Sequence, residues 1–145
     1  MSKFGKYAIV DTATFHFKLM EKWWWKIKPA TAGDELNLRK FFSEGRIVWA
    51  PDGSHREYFP NLYEQAMREI ALSFAGTNIP VNDEEPVEDG GAPLIKPGAT
   101  VEEIESVLRD MPTDLVMEIW DHIGQAVPGW GPITPSEDPN ASGSK

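Results

Sequence analysis

The chain has 145 residues, a formal net charge of −9 and no cysteine, which excludes disulfides, thiolate catalysis and Cys-ligated zinc. Six Trp and seven Phe are too many for a disordered chain, and the length is enough to bury a core. No apolar run approaches the roughly 20 residues that span a bilayer, and Asp11 breaks the apolar stretch behind the basic N-terminus, so an intracellular protein is expected.

The charge is unevenly spread. Residues 1–75 hold eleven Lys/Arg against nine Asp/Glu, whereas residues 76–145 hold three against fourteen. A basic-to-neutral half followed by a strongly acidic one suggests two modules. The acidic half disfavours nucleic acid as a partner and suits solubility or a basic protein surface.

In chain order, residues 6–10 and 14–20 have strand character. In the second, Phe15, Phe17 and Leu19 alternate with Thr14, His16 and Lys18, which predicts one buried and one solvated face. Glu21-Lys22 then makes a tight turn into Trp23-Trp24-Trp25-Lys26-Ile27-Lys28, the stretch around which the first half is built. A strand's period of two puts Trp23, Trp25 and Ile27 on one face and Trp24, Lys26 and Lys28 on the other. The first set reads as core. The second, an indole between two lysine stems, suits a solvated face or a docking surface, and Trp24, Lys26 and Lys28 are the candidate partner-binding residues. Pro29 ends the strand, and Thr31 with Asp34 three residues later marks a helix start. That helix is expected over about 32–43, with Leu36, Leu38, Phe41 and Phe42 as its apolar positions and Gly45 as its stop.

Residues 46–50 and 55–59 flank Pro51-Asp52-Gly53-Ser54, a strong turn signal that predicts a second hairpin. A second helix begins behind Asn61 and is expected to end just before Gly76, with Leu62, Ala66, Ile70 and Phe74 as its core stripe and Tyr63 and Met67 beside it. From 77 to 99 the composition turns acidic and rich in Pro and Gly, as in a linker. Thr100 followed by Glu103 fits a capping box. The helix behind it presents Val101, Ile104, Val107, Leu108 and Met111, and after Pro112-Thr113 another presents Leu115, Val116, Ile119, Trp120 and Ile123. Two short helices with so brief a joint predict a helical hairpin. The end of the chain, from Pro128, is rich in Pro, Gly and Ser and reads as a flexible tail.

The expected fold is therefore α+β: a small antiparallel sheet with two helices over 1–80, an acidic Pro/Gly-rich linker over 81–99, a helical hairpin over 100–127 and a tail over 128–145. Chemistry is sparse. His16, His55 and His122 sit on three different elements without metal-ligand spacing, and neither a nucleophile elbow nor a P-loop nor a dinucleotide fingerprint occurs. Glu84-Glu85 and Glu102-Glu103 lie in a linker and a first helical turn, where acids serve solubility and the helix dipole. No catalytic, metal or cofactor site is expected. Aromatics among lysines can stack single-stranded nucleic acid, but the acidic total and the lack of clustered arginine argue against it.

Two segments carry a resemblance: 62–80, especially Ile70-Ala71-Leu72-Ser73-Phe74-Ala75-Gly76-Thr77-Asn78-Ile79-Pro80, and 101–120, from Val101-Glu102-Glu103-Ile104 to Met117-Glu118-Ile119-Trp120. With Ile27-Lys28-Pro29-Ala30-Thr31-Ala32-Gly33-Asp34-Glu35 upstream, the order of elements over 15–130 resembles the tail assembly chaperones of long-tailed bacteriophages. The resemblance implies a non-enzymatic assembly factor without cofactors. It would bind the tape measure protein and gather major tail protein subunits in the host cytoplasm, and it would be absent from the mature virion. No membrane or nucleic-acid partner is expected. The competing expectations are a structural tail component that stays in the particle, and an acidic inhibitor that mimics nucleic acid and blocks a basic host enzyme.

Overall fold

The computed structural model describes residues 12–43, 46–58 and 61–132. The fold is α+β, and the described residues form a three-stranded antiparallel sheet and four α-helices. The first strand, β1 (Ala13–His16), pairs with β2 (Trp24–Ile27), setting Phe15 opposite Trp25 and His16 opposite Trp24. The expected strand at 6–10 lies outside the described residues. The turn at Glu21-Lys22 forms as expected, with the Trp23 amide donating to the Met20 carbonyl at 2.9 Å and the Phe17 amide to the Trp23 carbonyl at 3.1 Å. Regular pairing nevertheless ends before Lys18, so the alternation does not carry through: Phe15 and Phe17 are buried, whereas Leu19 is 88% exposed. The bend at 18–19 rotates that side chain off the core face.

Helix α1 (Ala32–Ser43) starts where Thr31 and Asp34 predicted it. The Asp34 amide donates to Thr31 Oγ1 at 3.1 Å and the Thr31 amide to Asp34 Oδ2 at 3.0 Å, a reciprocal cap. Only Leu38 is fully buried. Phe41 and Phe42 are half-buried and Leu36 is exposed. The second hairpin joins β3 (Arg46–Trp49) to β4 (His55–Tyr58) as a separate two-stranded sheet. Its turn is tied by Asp52, whose Oδ1 accepts from the Ser54 amide and hydroxyl.

Helix α2 (Leu62–Ser73) is capped by Asn61, whose Oδ1 accepts from the Glu64 amide at 2.9 Å. It ends earlier than its apolar stripe implied. Phe74 leaves helical geometry, and Phe74–Thr77 becomes β5, antiparallel to β2 on the side away from β1. Phe74 recurs four residues after Ile70, so it fits the helical period. Its ring instead packs edge-on to Trp25 at 5.0 Å, contact that a helix continuing past Ser73 would forgo. At the other end Leu62 and Tyr63 are exposed, because the first turn of α2 extends past the core.

Helix α3 (Val101–Arg109) carries the predicted Thr100–Glu103 capping box, and α4 (Thr113–Ala126) follows after Pro112. The expected hairpin stripes are largely inside: Ile104, Leu108, Ile119 and Ile123 are buried, with Met111 and Leu115 half-buried. Their main partner differs from expectation, since α3 and α4 each pack on α2. Ile70, Trp120 and Ile123 belong to the same buried cluster as Phe17 and Trp25. The boundaries at 80 and 100 therefore run through one core rather than between two. A nine-residue helix has too little apolar face to form a core with one neighbour, and the free side of α2 supplies the missing surface.

The two segments expected to be loose are partly pinned. In 81–99, the Val81 amide donates to Ala92 and the Leu94 amide to Ile79, Pro80 and Pro93 form a bridge, and Ile95 is buried. Gly91 lies so close to the Glu85 backbone that a Cβ there would overlap it. In the tail, Trp130 and Gly131 are buried. Gly131 crosses against Gly124, and a Cβ on Gly131 would overlap the Gly124 backbone, so this approach needs glycine at 131. The flexible-tail reading therefore does not hold for 128–132. Residues 133–145 lie outside the described residues.

Candidate functional site

The outward face of β2 is built as the alternation predicted. Trp25 and Ile27 point into the core, Trp23 packs partly against it, and Trp24 and Lys26 are half-buried on the opposite side with Lys28 exposed. Lys26 Nζ stands over the Trp24 indole at 4.9 Å from the ring centroid, within cation–π range. Across the strand, Gly76 leaves room beside this ring, since a Cβ there would lie 3.7 Å from Trp24.

Trp24 and Lys28 border a groove of about 540 Å³. All four residues of β5 line it, Val87, Pro93, Ile95 and Pro97 form its opposite wall, and Val101 and Ile104 of α3 close one side. Its lining is mostly apolar, and Lys28 and Asp34 are its charged members. The groove exists because the 92–94 segment pairs with residues 79–81 and then diverges from β5, leaving a gap between the sheet edge and the prolines.

Asn78 holds this wall in place. It is buried, and its Nδ2 donates to the Lys22 carbonyl and to Glu88 Oε1, each at 2.8 Å, while its Oδ1 accepts from the Trp24 amide at 2.7 Å. One side chain therefore ties the β1–β2 turn, the Trp24 backbone and the 3-10 turn at Val87–Asp89 together. The Asn78 hydrogen bond, reinforced more weakly by Lys22, holds the Glu88 carboxyl below its ordinary range. Thr77 adds a second tie, its hydroxyl donating to the Trp24 carbonyl at 2.8 Å.

The structure brings Trp24, Lys26 and Lys28 together and adds β5, Asn78 and the Pro93–Pro97 wall. A signal existed for the wall, because Leu94-Ile95 is an apolar pair inside an otherwise polar stretch. None existed for Asn78, whose partners lie 10 to 56 residues away.

His16 is exposed on β1 with Nδ1 2.8 Å from the Glu21 carbonyl, and His122 on α4 stacks on Phe15 at 3.8 Å between centroids. The side chain of His55 lies outside the described residues. Among the described residues no group of His, Asp and Glu is placed to hold a metal ion, and no helix is long and apolar enough to cross a membrane. Two buried carboxylates serve the fold. Glu69 accepts from Trp120 Nε1 at 2.9 Å, from the Gly131 amide at 2.7 Å and from Gln65 Nε2 at 2.9 Å, while Glu105 pairs with Arg68 at 3.0 Å. Comparison with protein-family models, with curated proteins and with solved structures finds no match for this chain.

Proposed function

We propose that this chain is a non-enzymatic tail assembly chaperone of a long-tailed bacteriophage, acting in the host cytoplasm on the tape measure protein and the tail-tube subunits and leaving before the virion is complete. The observation that carries the reading is the apolar groove with Trp24 at its edge. A half-buried indole beside a mostly apolar concavity is the kind of surface at which protein interfaces concentrate their energy. The acidic charge suits a soluble carrier that keeps an aggregation-prone client apart from its copies. The resemblance in the order of elements supplies the identity of the client.

The test is co-expression with the tape measure protein of the same phage, followed by purification of the complex and of mature particles. The proposal expects co-purification of the two proteins, loss of that complex on Trp24→Ala, and no copy of this chain in particles. Its presence in purified virions would identify a structural tail component instead. A complex with a basic host enzyme and none with the tape measure protein would identify an inhibitor.

A further inference from the structure

We propose that residues 127–132 form a latch that holds α1 on the rest of the fold and, through α1, sets how far the groove opens. Its bearing on a client rests on the reading of that groove as the binding site. Two neighbours in the first turn of α1 carry the connection. Asp34 lines the groove, and Glu35 accepts from Trp130 Nε1 at 2.8 Å. Successive helical residues point about 100° apart, so one turn of helix meets the groove on one side and the latch on another. A movement of Trp130 therefore reaches the groove wall through a single helical turn.

The latch is firmly seated. The Gly131 amide donates to the buried Glu69 carboxylate at 2.7 Å and its backbone crosses against Gly124. The Trp130 amide closes a turn onto the Val127 carbonyl at 3.1 Å, and the Trp130 ring is buried. By contrast α1 buries little of itself. Leu38 is its one fully buried residue, Phe41 and Phe42 are half-buried and Leu36 is exposed. On α2 it is tied by Arg68, which donates to Asn37 Oδ1 at 3.0 Å and stands over the Phe41 ring at 4.4 Å. A twelve-residue helix with so small a buried face depends on such ties to stay docked. The joint behind it is short. The Lys28 amide donates to the Ser73 carbonyl at 2.8 Å, and Thr31 is bonded to Asp34 within the cap, so residues 29 and 30 are left to take up a rotation of α1. Coupling runs both ways: a segment wedged in at Asp34 works against the seated Trp130, and unseating Trp130 widens the groove.

The test uses the full chain, whose lack of cysteine gives a clean background for paired spin labels. Arg39→Cys with Lys96→Cys, both at exposed positions, reports the distance from α1 to the far wall of the groove. Ser106→Cys with Asp121→Cys, exposed on α3 and α4, is the reference pair. Trp130→Phe keeps a ring in place without its N–H, Glu35→Ala removes the acceptor from the other side, and Glu35→Gln retains an acceptor oxygen. The first two are expected to lengthen and broaden the distribution between 39 and 96 and to speed amide exchange over residues 36–43 by about tenfold or more. Glu35→Gln is expected to change both far less, and the reference pair to stay constant throughout. A distribution between 39 and 96 that is unchanged in either Trp130→Phe or Glu35→Ala overturns the proposal. So does equal broadening of both pairs, which would make residues 127–132 a support of the whole core rather than a latch on α1. The two readings fail separately: a fixed α1 leaves the chaperone function standing, and the lack of a tape measure complex leaves the latch standing.

Discussion

Adjacent tryptophans on β2 have opposite jobs, and single substitutions separate them. Trp25 is fully buried, and its Nε1 has no hydrogen-bond partner among the described residues. Trp25→Ala is expected to destabilise the fold by about 3–5 kcal/mol, as large-to-small core changes do. Trp25→Phe should cost far less than that, because deleting an unpaired buried donor returns about 1–3 kcal/mol of desolvation against the smaller cavity. Thermal and denaturant melting of both variants checks the difference, and equal losses would mean that the indole N–H is satisfied after all. Trp24→Ala should leave the melting temperature nearly unchanged and weaken client binding by about 2 kcal/mol or more. His122 gives a pH signature. Burial against Phe15 depresses its pKa below the ordinary 6.5, with Lys18 acting the same way and Glu118 and Asp121 opposing. A base with a depressed folded pKa binds fewer protons folded than unfolded just below its ordinary value. Its contribution to stability is therefore whole above 6.5 and lost as pH falls through the folded value. His122→Phe is expected to flatten the melting temperature between about pH 7.5 and about pH 5. The carboxylates with lowered pKa values, Asp52, Glu88 and Glu103, lose their contributions only at more acidic pH, so the His122 window stands apart.

Among the elements, α2 is the hub. It packs against α1, α3 and α4, and its Glu69 receives the Trp120 indole and the Gly131 amide. Glu69→Ala leaves both donors buried and unpaired at about 1–3 kcal/mol each, enough to remove a large fraction of the stability of a small domain. Glu69→Gln is expected to be damaging too, since its amide group brings donors into a place lined with donors. Hydrogen exchange should report the loss first at Trp130 and Gly131, the segment that Glu69 holds. By contrast Thr100→Ala, which removes an exposed cap from α3, should cost only about 1 kcal/mol.

For the molecule as a whole, a single core changes what cutting the chain should do. Charge asymmetry and the Pro/Gly-rich stretch suggest two modules. With α3 and α4 covering α2, a chain ending at residue 80 exposes Ile70, Ala66 and Glu69 to water and is expected to show no cooperative melting. Ile119→Asp, a charge in the middle of the shared cluster, should unfold the whole chain rather than the last two helices alone. Limited proteolysis should enter at the exposed turn around Asp83–Glu85 and spare the neighbourhood of buried Ile95. A stable fragment of residues 1–80 in either experiment would restore the two-module view.

Local signals determined much of this protein. The Thr31, Asn61 and Thr100 caps, the Asp52-Gly53 turn, the Glu21-Lys22 turn and the alternation that separates Trp24 from Trp25 each depend on residues a few positions apart. Period and capping chemistry encode such short-range geometry directly. Tertiary structure decided the rest. Whether Phe74 ended a helix or began a strand depended on an unpaired edge of β2, and whether α3 and α4 formed a module depended on the open side of α2. Whether Asn78 and Ile95 mattered depended on partners brought in by the fold. A period of 3.6 or 2 specifies which residues share a face, but not what that face will meet. The candidate site follows the same division: Trp24, Lys26 and Lys28 were legible because they lie on one strand, whereas the groove beside them forms only where β5, the 87–99 segment and α3 come together.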